Sequence, residues 1–231
     1  MVHPTPEPAS RNFISPVARL RFIAANILIG VLFAFFAYAA FVNWQQTGHV
    51  QSLILAFQEL LFVGLAITRH HSVVESRSVW DWTVALVGTA APLLQRPVLT
   101  FLGTTAPLLQ RPMISLPLLE PIGLVLQIVS ATLAFFAVLS LGRSFGIVAA
   151  NRGVRTTGFY RFVRHPLYGS YMIGYLGFLF GNLSFWNLAL IILTVLCQYA
   201  RAVAEERILL QDPVYQAYAQ QVRYRFIPYI F

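Results

Sequence analysis

Gly158-Phe159-Tyr160-Arg161-Phe162-Val163-Arg164-His165-Pro166-Leu167-Tyr168 runs from a basic loop into an apolar segment of membrane length. Pro166 suits the first turn of a helix, where its missing N–H costs nothing. The free N–H groups of that turn favour an anion. His165 can donate a hydrogen bond to the same group; the plainer reading of a histidine before proline is a helix cap. Ionisable groups at the mouth of an apolar bundle need a reason to be there, and this stretch holds two arginines and a histidine.

Upstream, residues 142–168 contain Gly142, Gly146, Gly153 and Gly158 together with Arg143, Arg152, Arg155, Arg161 and Arg164. Glycine lets the backbone approach a ligand closely. Arginines and the aromatic faces of Tyr160 and Tyr168 add an electropositive, stacking wall. Such a loop can hold an anionic or adenine-containing cofactor. The competing reading is a basic loop that only orients the chain in a bilayer.

Downstream, Arg201 and Glu205 are spaced i, i+4 and share a helix face, with Glu206 about 100° further round. A surface salt bridge is the plain reading. The functional one keeps a carboxylate free for a ribose hydroxyl or a cation, and Arg201 free for an anionic substrate.

Composition sets the environment. The chain has 231 residues, 58% hydrophobic and 10% charged, against about 25% charged in soluble domains. The reading is an all-α membrane protein of about six transmembrane helices, with five possible. The expected spans are Phe22–Val42, Val50–Thr68, Trp80–Leu94, Pro121–Leu141, Leu167–Leu183 and Phe185–Ala200, the last two forming a tight helical hairpin. Every basic residue is arginine, giving a formal charge of +8. With six spans, all but Arg96 and Arg111 fall on one side, which the positive-inside rule makes cytoplasmic together with both termini. No soluble domain is left to carry nucleic-acid binding. Cys197 sits alone in an apolar run and reads as a buried, inert thiol. No cleavable leader is evident, so the first apolar run is expected to stay as an anchor.

Residues 1–19 are proline-rich and expected to be loose. Residues 20–141 hold spans one to four. Within them, a tandem 15-residue repeat at 88–117 begins Gly88-Thr89-Ala90-Ala91-Pro92-Leu93-Leu94-Gln95-Arg96-Pro97 and recurs from Gly103. Two copies read as a local duplication that lengthens a loop. Residues 142–231 carry the chemistry. The tail, with Tyr215-x-x-Tyr218 and Tyr224-Arg225-Phe226-Ile227-Pro228, is expected to lie at the interface or fold back over a pocket. HExxH, P-loop, GxGxxG and Gly-x-Ser-x-Gly patterns are absent. His70-His71 has no evident ligand set, so no metal is expected.

The ordered motifs of residues 158–168, 201–206, 215–218 and 224–228 resemble the isoprenylcysteine carboxyl methyltransferase family and its prokaryotic relatives. The resemblance covers about residues 140–231. It implies S-adenosyl-L-methionine as methyl donor, held in a C-terminal cofactor pocket on the cytoplasmic face. By that resemblance the cofactor contacts are Arg152, Gly153, Val154, Arg155, Tyr160, His165, Pro166, Leu167, Tyr168 and Glu206. Arg201 and Glu205 are the implied catalytic pair, although counting back from Glu206 puts Ala202 in the family's arginine column. The loop between Ser144 and Gly153 is shorter than in the eukaryotic enzymes. The implied partners are the lipid bilayer and a lipophilic or small methyl acceptor, with isoprenylcysteine-type carboxylate methylation favoured and thiol or amine acceptors possible. Two alternatives stand beside it. An NADPH-dependent, sterol-reductase-like enzyme shares a similar C-terminal ending. A membrane transporter would depend on Glu59 in span two.

Overall fold

A helix that is apolar all round cannot hide from water behind one packed face. Helix α1 (Pro16–Thr47) is of this kind: Ile27, Leu28, Val31 and Tyr38 are exposed on one side, Phe33, Ala37 and Ala40 buried on the other. The computed structural model describes residues 16–48, 50–70, 72, 74–94 and 118–230. The second repeat copy, Arg96 and Arg111 lie outside the described residues. Helix α1 begins inside the segment 1–19 that was expected to be loose, because Pro16 opens the helical run.

Six further α-helices follow among the described residues: α2 (Val50–Thr68), α3 (Val79–Ala90), α4 (Glu120–Leu141), α5 (Pro166–Asn182), α6 (Phe185–Leu209) and α7 (Pro213–Gln221). A helix occupies each of the six expected spans. Three are long and apolar enough to cross a membrane: Phe22–Thr47, Glu120–Ser144 and Phe185–Leu209. Helix α3, with 12 residues, and α5, with 17, fall short by length, since a bilayer core of about 30 Å takes roughly 20 residues.

The helices pack in antiparallel pairs: α1 with α2, α4 with α5, and α3 with α6. The first pair is tied near both ends. Asn43 donates to Ser52 Oγ at 2.7 Å, and Arg69 Nε donates to Asn26 Oδ1 at 2.6 Å. The second pair meets through small residues. A Cβ on Gly177 would stand 2.6 Å from the Gly123 carbonyl oxygen, and one on Gly174 2.6 Å from Ser130 Oγ. Ser130 also donates to the Ser170 carbonyl at 2.7 Å. The third pair is closed by an ion pair between Arg207 and the buried Asp81. Cys197 is a free, buried thiol on its seam, where a Cβ on Gly88 would stand 2.8 Å from Cys197 Cβ.

Two expectations need correction. Helices α5 and α6 are joined by a two-residue turn, yet they do not form a tight hairpin. The glycine stripe draws α5 onto α4, and α6 packs on α3, so the two diverge. Helix α6 also runs on to Leu209. Arg201, Glu205 and Glu206 therefore lie within a helix and not beyond its end. The stretch Ala202–Leu209 is rich in strong helix formers, and the Ser184 side chain caps the far end.

A two-stranded antiparallel sheet joins β1 (Val74–Glu75) to β2 (Ala150–Asn151), with Glu75 opposite Ala150. It anchors the loop after α4 to the loop before α3. Asp212 caps α7 by accepting from the Val214 N–H at 2.9 Å. Its other carboxylate oxygen accepts from Asn151 at 3.2 Å, which holds α7 against the basic loop.

Candidate active site

The motif 158–168 is folded tightly before it reaches α5. Gly158 has φ +63° and lies against Ser140, where a side chain would collide. Residues Gly158–Arg161 then make a 3₁₀ turn that buries Tyr160. Tyr218 on α7 donates its hydroxyl to the Tyr160 carbonyl at 2.6 Å. Tyr160, Tyr215, Tyr218 and Val222 form one buried cluster, with Val154 packed against it. Burial pushes the Tyr160 and Tyr218 hydroxyls above the ordinary tyrosine value, so both stay neutral.

The tail folds back alongside the motif. The N–H groups of Arg164 and His165 donate to the carbonyls of Tyr224 and Arg225 at 2.9 and 2.7 Å. Gly169 permits this approach, because a Cβ there would collide with the Phe226 carbonyl. Pro166 opens α5 and is buried. His165 does not cap that helix with its side chain. Its Nε2 lies 3.1 Å from Glu206 Oε1 and its Nδ1 3.7 Å from Glu205 Oε2. The ring stacks on Tyr168 at 5.6 Å with 9° between planes. Both ring nitrogens thus face carboxylates of the chain itself.

Glu206 is 4% exposed and is surrounded by positive charge. Arg164 lies 3.2 Å away, and Arg225 3.0 Å away. Glu205 points differently: it accepts a hydrogen bond from the Tyr168 hydroxyl. The Arg201 guanidinium sits 5.3 Å above the Tyr168 ring. It donates to Ile147 O at 2.8 Å and to Gln198 Oε1 at 3.2 Å, so the simple surface salt bridge to Glu205 is not formed.

These groups surround a cavity of about 240 Å³. At the end formed by the basic loop, the motif and α7 it is lined by Arg152–Arg155, Tyr160, Tyr215 and Glu205. His165, Leu167, Tyr168 and Arg201 line its middle, and Glu59, Ser130, Gly174 and Phe178 extend it between the helices. Among the sequence-predicted site residues, only Pro166 and Glu206 do not line it. Arg155 is exposed and donates from Nε to Ser144 Oγ at 3.1 Å. Arg152 is buried against Gly146, whose missing side chain makes room for the guanidinium. It reaches Glu75 at 3.4 Å. Burial pulls its pKa below the ordinary arginine value, with Glu75 and then Glu205 opposing.

Buried polar atoms in native proteins nearly always find partners. Among the described residues six buried side-chain atoms have none. Five of them belong to side chains that line this cavity: Glu59 Oε2, Tyr215 Oη and the Nε atoms of Arg152, Arg164 and Arg201. That concentration fits a polar occupant. Sequence reading missed Tyr215 as a lining group, while Arg164 was read only as part of the basic wall. The Asp212-Pro213 cap with tyrosines three apart was the available signal for Tyr215. No cluster of three metal-ligating side chains occurs among the described residues.

Residues 115–217 match the phospholipid methyltransferase family profile, so this part of the chain is similar to that family. No curated protein matches the chain.

Proposed function

We propose that this chain is an S-adenosylmethionine-dependent methyltransferase whose acceptor is lipophilic and enters the cavity from the bilayer. The observation that carries the reading is the cavity itself, which joins a basic, tyrosine-lined end to an interior between apolar helices. When bound, S-adenosylmethionine supplies a methyl group on an electrophilic sulfonium. Its adenine fits the Tyr160–Tyr215 side of the cavity, its ribose hydroxyls fit Glu205, and its carboxylate fits Arg152 or the free N–H groups at the start of α5. The unpartnered atoms of Arg152 and Tyr215 support this assignment. Glu206 acts behind the wall: with Arg164, His165 and Arg225 it fixes the motif to α6 and the tail.

Methyl transfer needs mainly alignment and exclusion of water. Tyr168, held between Glu205, His165 and Arg201, supplies a fixed floor. Arg201 has no carboxylate partner among the described residues, and its Nε is unpartnered. It therefore suits an anionic group on the acceptor. An isoprenylcysteine-type carboxylate is one such group and needs no general base, being ionised near pH 7. The phosphate of a phospholipid head is another.

The proposed topology is six spans with termini and cavity mouth in the cytoplasm, supported by the arginines gathered at one end of the bundle. A cysteine placed at Arg223 should label only from the cytoplasmic side; labelling from outside would reverse the orientation. The central test is calorimetric titration of the detergent-purified chain with S-adenosylhomocysteine, and with NADPH in parallel. Saturable binding of the former alone is expected. Binding of NADPH alone would overturn the reading.

A further inference from the structure

We propose that the open groove between the start of α1 and the end of α2 binds an anionic phospholipid, at a site separate from the cavity described above. The groove has a volume of about 350 Å³ and is lined by Ile23, Asn26, Ile27, Ile67, Arg69 and Arg143 among others. No residue lines both it and the main cavity. Helices α1 and α2 lie outside the residues matched by the family profile.

Two guanidinium groups are held in place there. Asn26, buried in α1, accepts from Arg69 Nε at 2.6 Å. The Thr68 carbonyl, at the end of α2, accepts from Arg143 Nε at 2.9 Å. The His70 N–H donates to the Arg143 carbonyl at 2.7 Å, which ties the two arginine-bearing segments together. Each guanidinium is thus oriented through its Nε, and its Nη groups form no hydrogen bond or ion pair among the described residues. By contrast, Arg152, Arg164, Arg207 and Arg225 each have a carboxylate within 3.4 Å. An arginine that only orients the chain in a bilayer needs no such fixing. A guanidinium held from behind with its outer donors open is prepared for an anion.

The rest of the groove selects which anion. A guanidinium fork matches the paired oxygens of a phosphate. Ile23 and Ile27 lie one turn apart on α1, and Ile67 stands in the last turn of α2; they are 44, 60 and 66% exposed. From the arginine end they continue along α1 into its apolar span, which makes a track for an acyl chain. A free phosphate would gain nothing from that track. No acidic residue lines the groove, so an ammonium on the head group would meet only like charge. A lipid whose head is net negative is therefore favoured, as in other basic pockets between spans. Arg143 opens the basic loop, so a bound lipid braces the segment that leads to Arg152. The site stands independently of the methyltransferase reading.

The full chain in detergent is titrated calorimetrically with short-chain phosphatidylglycerol, short-chain phosphatidylcholine and inorganic phosphate. The wild type should bind phosphatidylglycerol saturably and at least about tenfold more tightly than either other probe. The double variant Arg69→Gln, Arg143→Gln should lose that preference. Arg143 is exposed, so Arg143→Gln alone should fold, and it should weaken phosphatidylglycerol binding about tenfold. Arg77→Gln removes the same charge from an exposed arginine that does not line the groove, and should change the affinity less than about twofold. If Arg143→Gln binds phosphatidylglycerol as tightly as wild type, or loses no more than Arg77→Gln, the site is overturned. Inorganic phosphate bound as tightly as phosphatidylglycerol would overturn the lipid as occupant, and phosphatidylcholine bound as tightly would overturn selection by charge.

Discussion

Arg225 grips Glu206 from two nitrogens, with Nε 3.2 Å and Nη2 3.0 Å from Oε2. This pair fastens residues after the last helix to the middle of the α6 acidic stretch. Arg164 and His165 contact the other oxygen. Removing the carboxylate leaves three cationic or polar groups facing one another in a buried space. Glu206→Ala should therefore destabilise the protein by about 3–5 kcal/mol, read as a large fall in thermal midpoint, and should lose S-adenosylhomocysteine binding as a consequence.

Glu205→Gln separates the two acidic neighbours. Its side chain lines the cavity and is tied to Tyr168, with no arginine within ion-pair distance among the described residues. Stability should change by less than about 1 kcal/mol, while S-adenosylhomocysteine affinity falls about tenfold. A matched loss of stability and affinity would instead put Glu205 in the structural lock with Glu206.

The Tyr215 hydroxyl is buried without a partner. Deleting such a hydroxyl relieves a desolvation cost of about 1–3 kcal/mol. Tyr215→Phe should raise the thermal midpoint and at the same time weaken S-adenosylhomocysteine binding several-fold. Tyr160→Ala should weaken binding too, but with loss of stability, because it opens the tyrosine cluster. Unchanged affinity in Tyr215→Phe would remove that hydroxyl from the cofactor end.

Alkaline pH should loosen the same cluster. Burial raises the folded-state pKa of Tyr218 above the ordinary 10.0, with Arg164 opposing and Glu206 reinforcing. The unfolded chain therefore releases this proton first. The stabilising contribution is complete below pH 10 and is lost as pH rises beyond it. Thermal unfolding should shift downward as pH rises above about 10, and Tyr218→Phe should flatten that dependence. An equal slope in both proteins would assign the effect to other groups.

Gly177→Ala tests the α4–α5 seam. The new Cβ would meet the Gly123 carbonyl at 2.6 Å and Leu126 Cβ at 2.9 Å. Overpacking of this kind costs about 1–3 kcal/mol. The thermal midpoint should fall, and a variant as stable as wild type would show that the helices separate at little cost.

Local chemistry was legible in the sequence, and pairing was not. Apolar runs and the Pro166 start located the membrane-length helices, because those signals act within one turn. The residues of the basic loop and of 160–168 were readable as one cluster for the same reason. The partner of α5 was not, since Gly174 and Gly177 declare close approach without saying to what. The distinction between Glu205 and Glu206 also escaped, because adjacent residues on a helix differ only by rotation. It took Arg225, nineteen positions on, to absorb one of them. Glu59 was visible as an intramembrane charge, but its free oxygen depends on what the neighbouring helices withhold.

The backbone contacts of Tyr224 and Arg225 with the motif join segments about sixty residues apart in sequence. Contacts at that separation close late, because the chain between them must be ordered first. The motif therefore takes its final shape only after α5, α6 and α7 are in place.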